Sequence, residues 1–322
     1  MILSLKPPYH ISTKTLALVA EIAEKSGAVK IIHKAGLEPR LRRKNQVRTI
    51  QASLEIEGNS LSEAQVTAIL DGRRVAGPAK DILEVQNANA AYSILNELDP
   101  YSQEDFLKAH EKLMFGLTER PGAFRTGSVG ITKGSQLTHV APAGTMVHGL
   151  MRGLFDYLSR EDEIPLIKSC VFHYELEFIH PFADGNGRMG RLWQTAILSK
   201  HNMIFAAVPV ESLIRERQQA YYDALGQSDK QGQPTPFIEF MLSVISQSLD
   251  EFLHMRPQTA DSSARMGTFL KEQGRDLFSR KDYLRFYPNL GPATASRDLK
   301  QATAQGVLDK LGDKRTTQYR SA

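Results

Sequence analysis

A mainly α-helical protein is the fold class this sequence predicts, and three observations predict it. Apolar residues recur three and four apart in stretch after stretch, with proline or glycine between the stretches. One region, from Pro121 to Pro142, breaks that period and reads as a short β-hairpin. Behind three short helical segments, the chain from Gly306 to Tyr319 alternates like a small strand pair. The expectation is a helical bundle interrupted by one hairpin, plus a small C-terminal domain.

Taken in order, the first helix follows Pro7-Pro8. Leu16, Val19, Ala20, Ile22 and Ala23 mark its apolar face, and Gly27 is its expected stop. A second helix follows Pro39. It opens on a solvated basic run (Arg40, Arg42, Arg43, Lys44) and continues apolar at Val47, Ile50, Leu54 and Ile56. Gly58 suits the left-handed position past its end. Glu57 is then oddly placed, because a carboxylate in the last turn meets the negative end of the helix dipole, at about 0.3–1 kcal/mol. A partner elsewhere in the fold would explain it.

Ser62 with Gln65 reads as a capping box opening a short helix to Leu70. After the loop 71–78 a longer helix runs from about Lys80 to Leu98, stopped by Pro100. Ser102 caps the next, with Phe106, Leu107, Leu113 and Met114 apolar and His110 reading as a satisfied interhelical histidine. In the hairpin, Val129 and Ile131 face Leu137, His139 and Val140 across Thr132-Lys133-Gly134-Ser135. Helices resume at about Val147–Leu158, Pro165–Ile179, Val210–Leu225 and Pro236–Phe252.

The stretch from Phe178 to Arg191 carries the chemistry. His180, a candidate base, precedes a proline that ends the helix before it. Asp184 is a carboxylate able to hold a metal. Gly185-Asn186-Gly187 makes a tight turn into a new helix through Leu192, Trp193, Ala196 and Ile197. The backbone N–H groups of such a turn form an anion nest backed by a helix dipole. Arg188 and Arg191, three apart, share a helix face and offer guanidinium forks to phosphate oxygens. Together these residues describe in-line attack of a hydroxyl on a phosphoryl group, with His180 as general base. Mg²⁺ fits beside Asp184, since it binds through one or two carboxylates plus substrate phosphates.

The same stretch resembles the Fic family signature, H-P-F-x-x-G-N-G-R-x-x-R, with every fixed position present. The resemblance extends from roughly Arg48 to Met241. It implies a Fic-type helical bundle that transfers AMP from ATP to a Ser, Thr or Tyr hydroxyl of a target protein and releases pyrophosphate. It also implies Asn186 as an α-phosphate contact. The family's inhibitory helix carries [S/T]-x-x-x-E-[G/N], which Ser53 and Glu57-Gly58 match on the helix of about 39–58. In those relatives the glutamate pairs with the second signature arginine, here Arg191. Tyr221-Tyr222-Asp223-Ala224-Leu225 resembles the segment near the adenine, although Ser228-Asp229 stands where many relatives have Ala-Asn. The hairpin takes the place of the flap that docks the target protein.

Composition sets the bounds. The 322 residues are 41% hydrophobic and 24% charged, enough for a large core and a smaller second domain. The single cysteine, Cys170, excludes an intrachain disulfide and reads as buried core. The N-terminus lacks the apolar run of a secretory signal, and no run approaches a membrane span, so no membrane partner and a cytoplasmic location are expected. The net charge is +4, but Arg256–Ala322 alone has 13 basic and 7 acidic residues. Arg256–Ser263 reads as the linker between a catalytic core, 1–255, and a winged-helix-like domain, 264–322. That domain would comprise a helix near Met266–Gln273, a short element around Lys281–Phe286 and a recognition helix from about Ala293 to Ala304, bearing Ser296, Arg297 and Lys300.

Three functional readings follow. The first is a protein AMP transferase needing ATP and Mg²⁺, restrained by Glu57. The second is the same fold doing other phosphate chemistry, AMP removal included. The third is a DNA-binding regulator with a vestigial enzyme domain, acting through its basic C-terminal domain, for which an interaction or dimer-forming module is the alternative. Self-modification and a homodimer are compatible with the first.

Overall fold

The computed structural model describes residues 6–32, 39–133, 136–254, 262–273, 277–288, 290–313 and 317–322. The chain divides into two compact units, Met1–Lys34 with Arg42–Leu253, and Ala35–Leu41 with His254–Ala322.

The first unit is helical: α1 (Thr13–Ile32), α2 (Pro39–Ile56), α3 (Glu63–Leu70), α4 (Ala79–Ser93), α5 (Gln103–Met114), then the antiparallel strands β1 (Gly130–Lys133) and β2 (Gln136–Val140). It continues through α6 (Gly144–Leu158), α7 (Pro165–Ile179), α8 (Asn186–His201), α9 (Val210–Glu216), α10 (Gln218–Gln231) and α11 (Thr235–His254). The mainly α expectation holds. Helices α7 and α8 are central, and their buried faces include Phe172, Leu176, Met189, Leu192, Trp193 and Ile197. Trp193 donates Nε1–H to Pro100 O at 3.1 Å, and Phe106 packs edge-on against it with centroids 5.0 Å apart. No helix among the described residues is long and apolar enough to cross a membrane.

Several expected boundaries move, for local reasons. Helix α1 runs through Gly27 to Ile32. A Cβ added at Gly27 meets nothing within 4 Å, so nothing there demands a stop. Its buried face is Thr15, Ile22, Ser26 and Val29, and Leu16 is exposed. Small polar residues on that face hid it from an apolar period. The helix expected over Val210–Leu225 breaks at Arg217 into α9 and α10. The helix expected to reach Leu98 ends at Ser93 and yields to a 3₁₀ turn, Leu95–Glu97. Helix α2 matches its pattern, with Val47, Ile50, Leu54 and Ile56 all buried.

The second unit contains α12 (Ser262–Gln273), α13 (Arg280–Phe286), α14 (Pro292–Ala304) and the antiparallel pair β3 (Leu308–Leu311) and β4 (Gln318–Ser321). Ser262 and Ser263, read as linker, begin α12; residues 256–261 lie outside the described residues. This unit has its own core, with Phe269, Phe278, Tyr283, Tyr287 and Leu299 at its centre. Arg265 clamps Asp298 with two hydrogen bonds of 2.7 Å, and Tyr283 donates its hydroxyl to the same carboxylate at 3.1 Å. Two separate cores lead to an expected outcome. Residues 1–255 produced alone should fold with a cooperative thermal transition and native helical circular dichroism. Insoluble or non-cooperative material would show that the units need each other.

Candidate active site

The turn between α7 and α8 is pinned from both sides. Helix α7 ends at Ile179, and His180 takes the left-handed conformation, φ 50° and ψ 60°, the one non-glycine residue with positive φ among those described. Such a backbone costs about 1–3 kcal/mol and persists only when its surroundings impose it. Arg125 imposes it. Its Nε donates to His180 O at 2.6 Å, one Nη to Ile179 O at 3.0 Å and Pro142 O at 2.7 Å, and the other to Gly127 O at 2.5 Å. The Arg125 N–H donates to Pro181 O at 2.8 Å. A buried guanidinium thus caps the negative end of α7 and sets where His180 stands.

Phe182 fills the core under the turn. Its ring lies 5.4 Å from Phe106 and stacks flat on His110, with centroids 3.6 Å apart. His110 accepts the Gly122 N–H at Nδ1 (2.8 Å), so its proton sits on Nε2 and is donated to Asp184 O at 3.0 Å. Burial pushes its pKa down to about 4, which keeps the ring neutral. The interhelical histidine expected from sequence therefore also fixes the turn. Asn186 closes it: its side-chain oxygen accepts from Phe182 N at 2.9 Å, and its amide donates to Phe182 O at 3.0 Å. Its side chain is thereby committed to the turn, and its backbone N–H is one of the first-turn donors of α8 that have no partner within the helix. Gly185 has φ +87°, and a Cβ there would lie 2.7 Å from Met114 Sδ, so only glycine fits.

The two arginines are both buried, and each is held. Arg191 donates Nε to Ser53 Oγ at 3.0 Å and Nη2 to Ser53 O at 2.9 Å and Glu57 Oε1 at 2.7 Å. The oddly placed Glu57 has its partner. Helix α2 ends in a Schellman turn, with Gly58 at φ +91°, its N–H on Glu55 O and the Asn59 N–H on Leu54 O. Arg188 donates Nη1 to Glu84 Oε1 at 3.3 Å and Nη2 to Asp184 Oδ1 at 3.1 Å. Asp184 also accepts the Gly185 N–H at 2.6 Å, and its side chain is 53% exposed. Among the described residues no group of three or more His, Cys, Asp or Glu could hold a metal. One exposed carboxylate beside an anion nest still suits Mg²⁺, which takes its remaining ligands from phosphates and water.

Tyr221 is buried, and its hydroxyl donates to His173 Nε2 at 3.0 Å, while His173 Nδ1 donates to Gln194 Oε1 at 2.7 Å. It ties α10 to α7 through that histidine; Tyr222 is the more exposed of the pair. Cys170 is fully buried, and burial pushes its thiol up to about 12.

Sequence reasoning missed Arg125, Glu84 and Glu177. Arg125 was hidden in a run read only as the start of a hairpin, and Glu84 in an apolar helix. Glu177 stands three residues before His180. Glu57 Oε1, Arg191 Nη1 and Glu177 Oε1 all lie within 3.4 Å of the point a Cβ would occupy on Gly187. Burial, and then the Glu57 charge, push Glu177 up to about 7 from a usual value near 4.5. The folded protein therefore keeps a proton that the unfolded chain has lost between those values. Stability falls as pH rises through that window, and the deficit is complete above about 7. Glu177→Gln should raise the thermal midpoint by a few degrees at pH 8 and little at pH 4.5. Equal shifts at both would mean that Glu177 titrates normally.

Comparison with known proteins agrees with this geometry. A family model described as Fic/DOC family matches residues 100–198. The protein adenylyltransferase fic-1 of Caenorhabditis elegans is 27% identical over 241 residues, covering 71% of this chain and 45% of that protein. The protein adenylyltransferase Fic of Nematostella vectensis is 29% identical over 216 residues, 63% of this chain and 48% of that one. The chain thus spans about half the length of the curated relatives it matches. The crystal structure of a Fic family protein from Desulfovibrio desulfuricans G20 superposes with a TM-score of 0.78 at 42% identity, over 99% of this chain and 98% of that one. With the signature turn intact and near-complete coverage of that relative, the chain belongs to the Fic family.

Proposed function

We propose that this protein transfers AMP from ATP to a Ser, Thr or Tyr hydroxyl of a protein, and that Glu57 restrains it. The observation that carries the reading is the Arg191 guanidinium, placed one helical turn inside an anion nest and held by Glu57 at 2.7 Å. The relatives named protein adenylyltransferases support the choice of reaction.

In this reading the first-turn N–H groups of α8 hold phosphate oxygens, and Arg188 and Arg191 hold the outer phosphates. The target hydroxyl attacks the α-phosphorus in line. The bond to the bridging oxygen breaks, AMP stays on the target, and pyrophosphate leaves against the two guanidiniums. The hydroxyl proton passes to His180, a step worth about 10²–10⁴-fold as general base catalysis. Mg²⁺, held by Asp184 when bound, would offset the charge growing on the leaving pyrophosphate. Strands β1 and β2 form a sheet of two, so each has an outer edge on which an extended segment of the target can add as a strand.

Glu57 competes with the γ-phosphate for Arg191. A charge-assisted hydrogen bond is worth about 1.5–3 kcal/mol, so removing the competitor should raise transfer about tenfold or more. Glu57→Gly is therefore expected to increase self-labelling from α-labelled ATP by that factor. His180→Ala in the same background should abolish labelling while ATP still binds. No gain from Glu57→Gly would end the restraint reading, and undiminished labelling by the His180 variant would remove it as the base.

The second unit supports a further reading, a winged-helix domain that binds duplex DNA. Its three helices precede a two-stranded ribbon, and α14 buries Ala295, Asp298, Leu299 and Ala302 while exposing Arg297 and Lys300. The full chain should shift duplex DNA in a salt-sensitive manner, and the double change Arg297→Glu with Lys300→Glu should abolish the shift. Absence of binding at low salt would leave the basic face as a solvated surface.

A further inference from the structure

Both arginines at the start of α8 meet a carboxylate, and the two carboxylates differ in kind. The Glu57 side chain is 29% exposed at a helix end, whereas that of Glu84 is 6% exposed in the middle of α4. A partly exposed carboxylate can turn into water when an anion takes its place. A buried one cannot leave without stranding a charge in the core, and breaking a buried pair costs about 3–5 kcal/mol. Glu57 is displaceable and Glu84 is fixed.

The two guanidiniums also differ in which nitrogens are held. Arg191 has both Nε and Nη2 engaged by α2. Arg188 gives one Nη to Glu84 and the other to the exposed Asp184, and its buried Nε has no hydrogen-bond partner among the described residues. Each guanidinium thus has two of its three nitrogens engaged, both Nη groups in Arg188 and Nε with Nη2 in Arg191, and Arg188 is held by one buried and one exposed carboxylate. Glu84 is itself oriented. Its second oxygen accepts from Asn59 Nδ2 at 2.8 Å, and Asn59 is fixed by its amide on Asp81 O (3.1 Å) and its oxygen on the Leu61 N–H (3.1 Å). Lys80, mostly exposed, lies 3.9 Å from the first oxygen. Asn59 is also the residue that closes the Schellman turn after Glu57.

We infer that Glu84 is a positioning residue: fixed by Asn59, it orients the Arg188 guanidinium for the outer phosphates of a nucleotide and stays paired when Glu57 gives way. The inference rests on the reading of this turn as an ATP site. One short segment, Glu57 to Asn59, then contributes to both arginines. Its glutamate blocks one, and its asparagine, through Glu84, steadies the other.

The test uses the full chain in a Glu57→Gly background, with ATP and AMP binding measured by calorimetry and the self-labelling rate measured against ATP concentration. Glu84→Gln keeps the shape and removes the charge. It should weaken ATP binding about tenfold or more, as expected for one charge-assisted hydrogen bond. AMP, which lacks the outer phosphates, should bind as before, and KM for ATP should rise more than kcat falls. Asn59→Ala should give the same pattern to a smaller degree, and carries the test if Glu84→Gln fails to fold. Unchanged ATP affinity, or equal losses for ATP and AMP, would overturn the inference. If the background protein transfers no AMP but the split between ATP and AMP holds, the proposed reaction falls and the role of Glu84 stands.

Discussion

Burial of the Phe182 ring is the contact on which the site depends. An anion-binding turn must keep its N–H groups facing outward, so it has little polar material with which to hold itself down. Here one aromatic side chain anchors it, packed on Phe106 and stacked on His110. Full burial of a phenylalanine is worth about 1.5–3 kcal/mol. That is comparable to the strain of the left-handed His180 two residues earlier. Arg125, His110 and Asn186 then satisfy the carbonyls and amides around the ring, leaving the outward N–H groups to a ligand.

Charge in this site is arranged by burial. Arg125, Arg188 and Arg191 are all buried, and each would be costly without partners. Arg125 is satisfied by backbone carbonyls and serves the fold. Arg188 and Arg191 are satisfied by carboxylates, Glu84 and Asp184 on the first and Glu57 on the second. In the proposed reading, carboxylate exposure separates a permanent support, Glu84, from a removable restraint, Glu57. Glu177 adds a fourth carboxyl beside Arg191 and Glu57, and burial, then the Glu57 charge, push it up to about 7.

The carboxylate that meets Arg191 comes from the end of a helix far upstream in sequence. Helix α2 is fastened along its length: Asn45 donates to Ala207 O at 2.8 Å, Arg215 donates to Gln51 at 2.7 Å and Glu55 at 3.0 Å, and Gln218 donates to Ile56 O at 3.0 Å. The Schellman turn then ends the helix at the point where Glu57 reaches Arg191. If Glu57 restrains transfer as proposed, relief needs only that side chain to move, since α2 itself is bound to α9, α10 and the segment before α9.

Much of this was legible in the sequence. The turn residues from His180 to Arg191 are contiguous, and their chemistry follows from residue type and order. The misplaced charge of Glu57 at a helix C-terminus announced a partner, because local electrostatics disfavour it there. Helix α2 was legible because its buried face is purely apolar, whereas α1 was misjudged where threonine and serine take core positions. Arg125, Glu84 and Asn59 gave no local sign: a buried arginine reads as a surface one until the carbonyls around it are known. The sequence by itself determined the helical class, the signature turn and the need for Glu57 to find a cation. Only the tertiary structure decided which cation each carboxylate meets and how deeply each is buried, because those depend on contacts between segments that are distant in the chain.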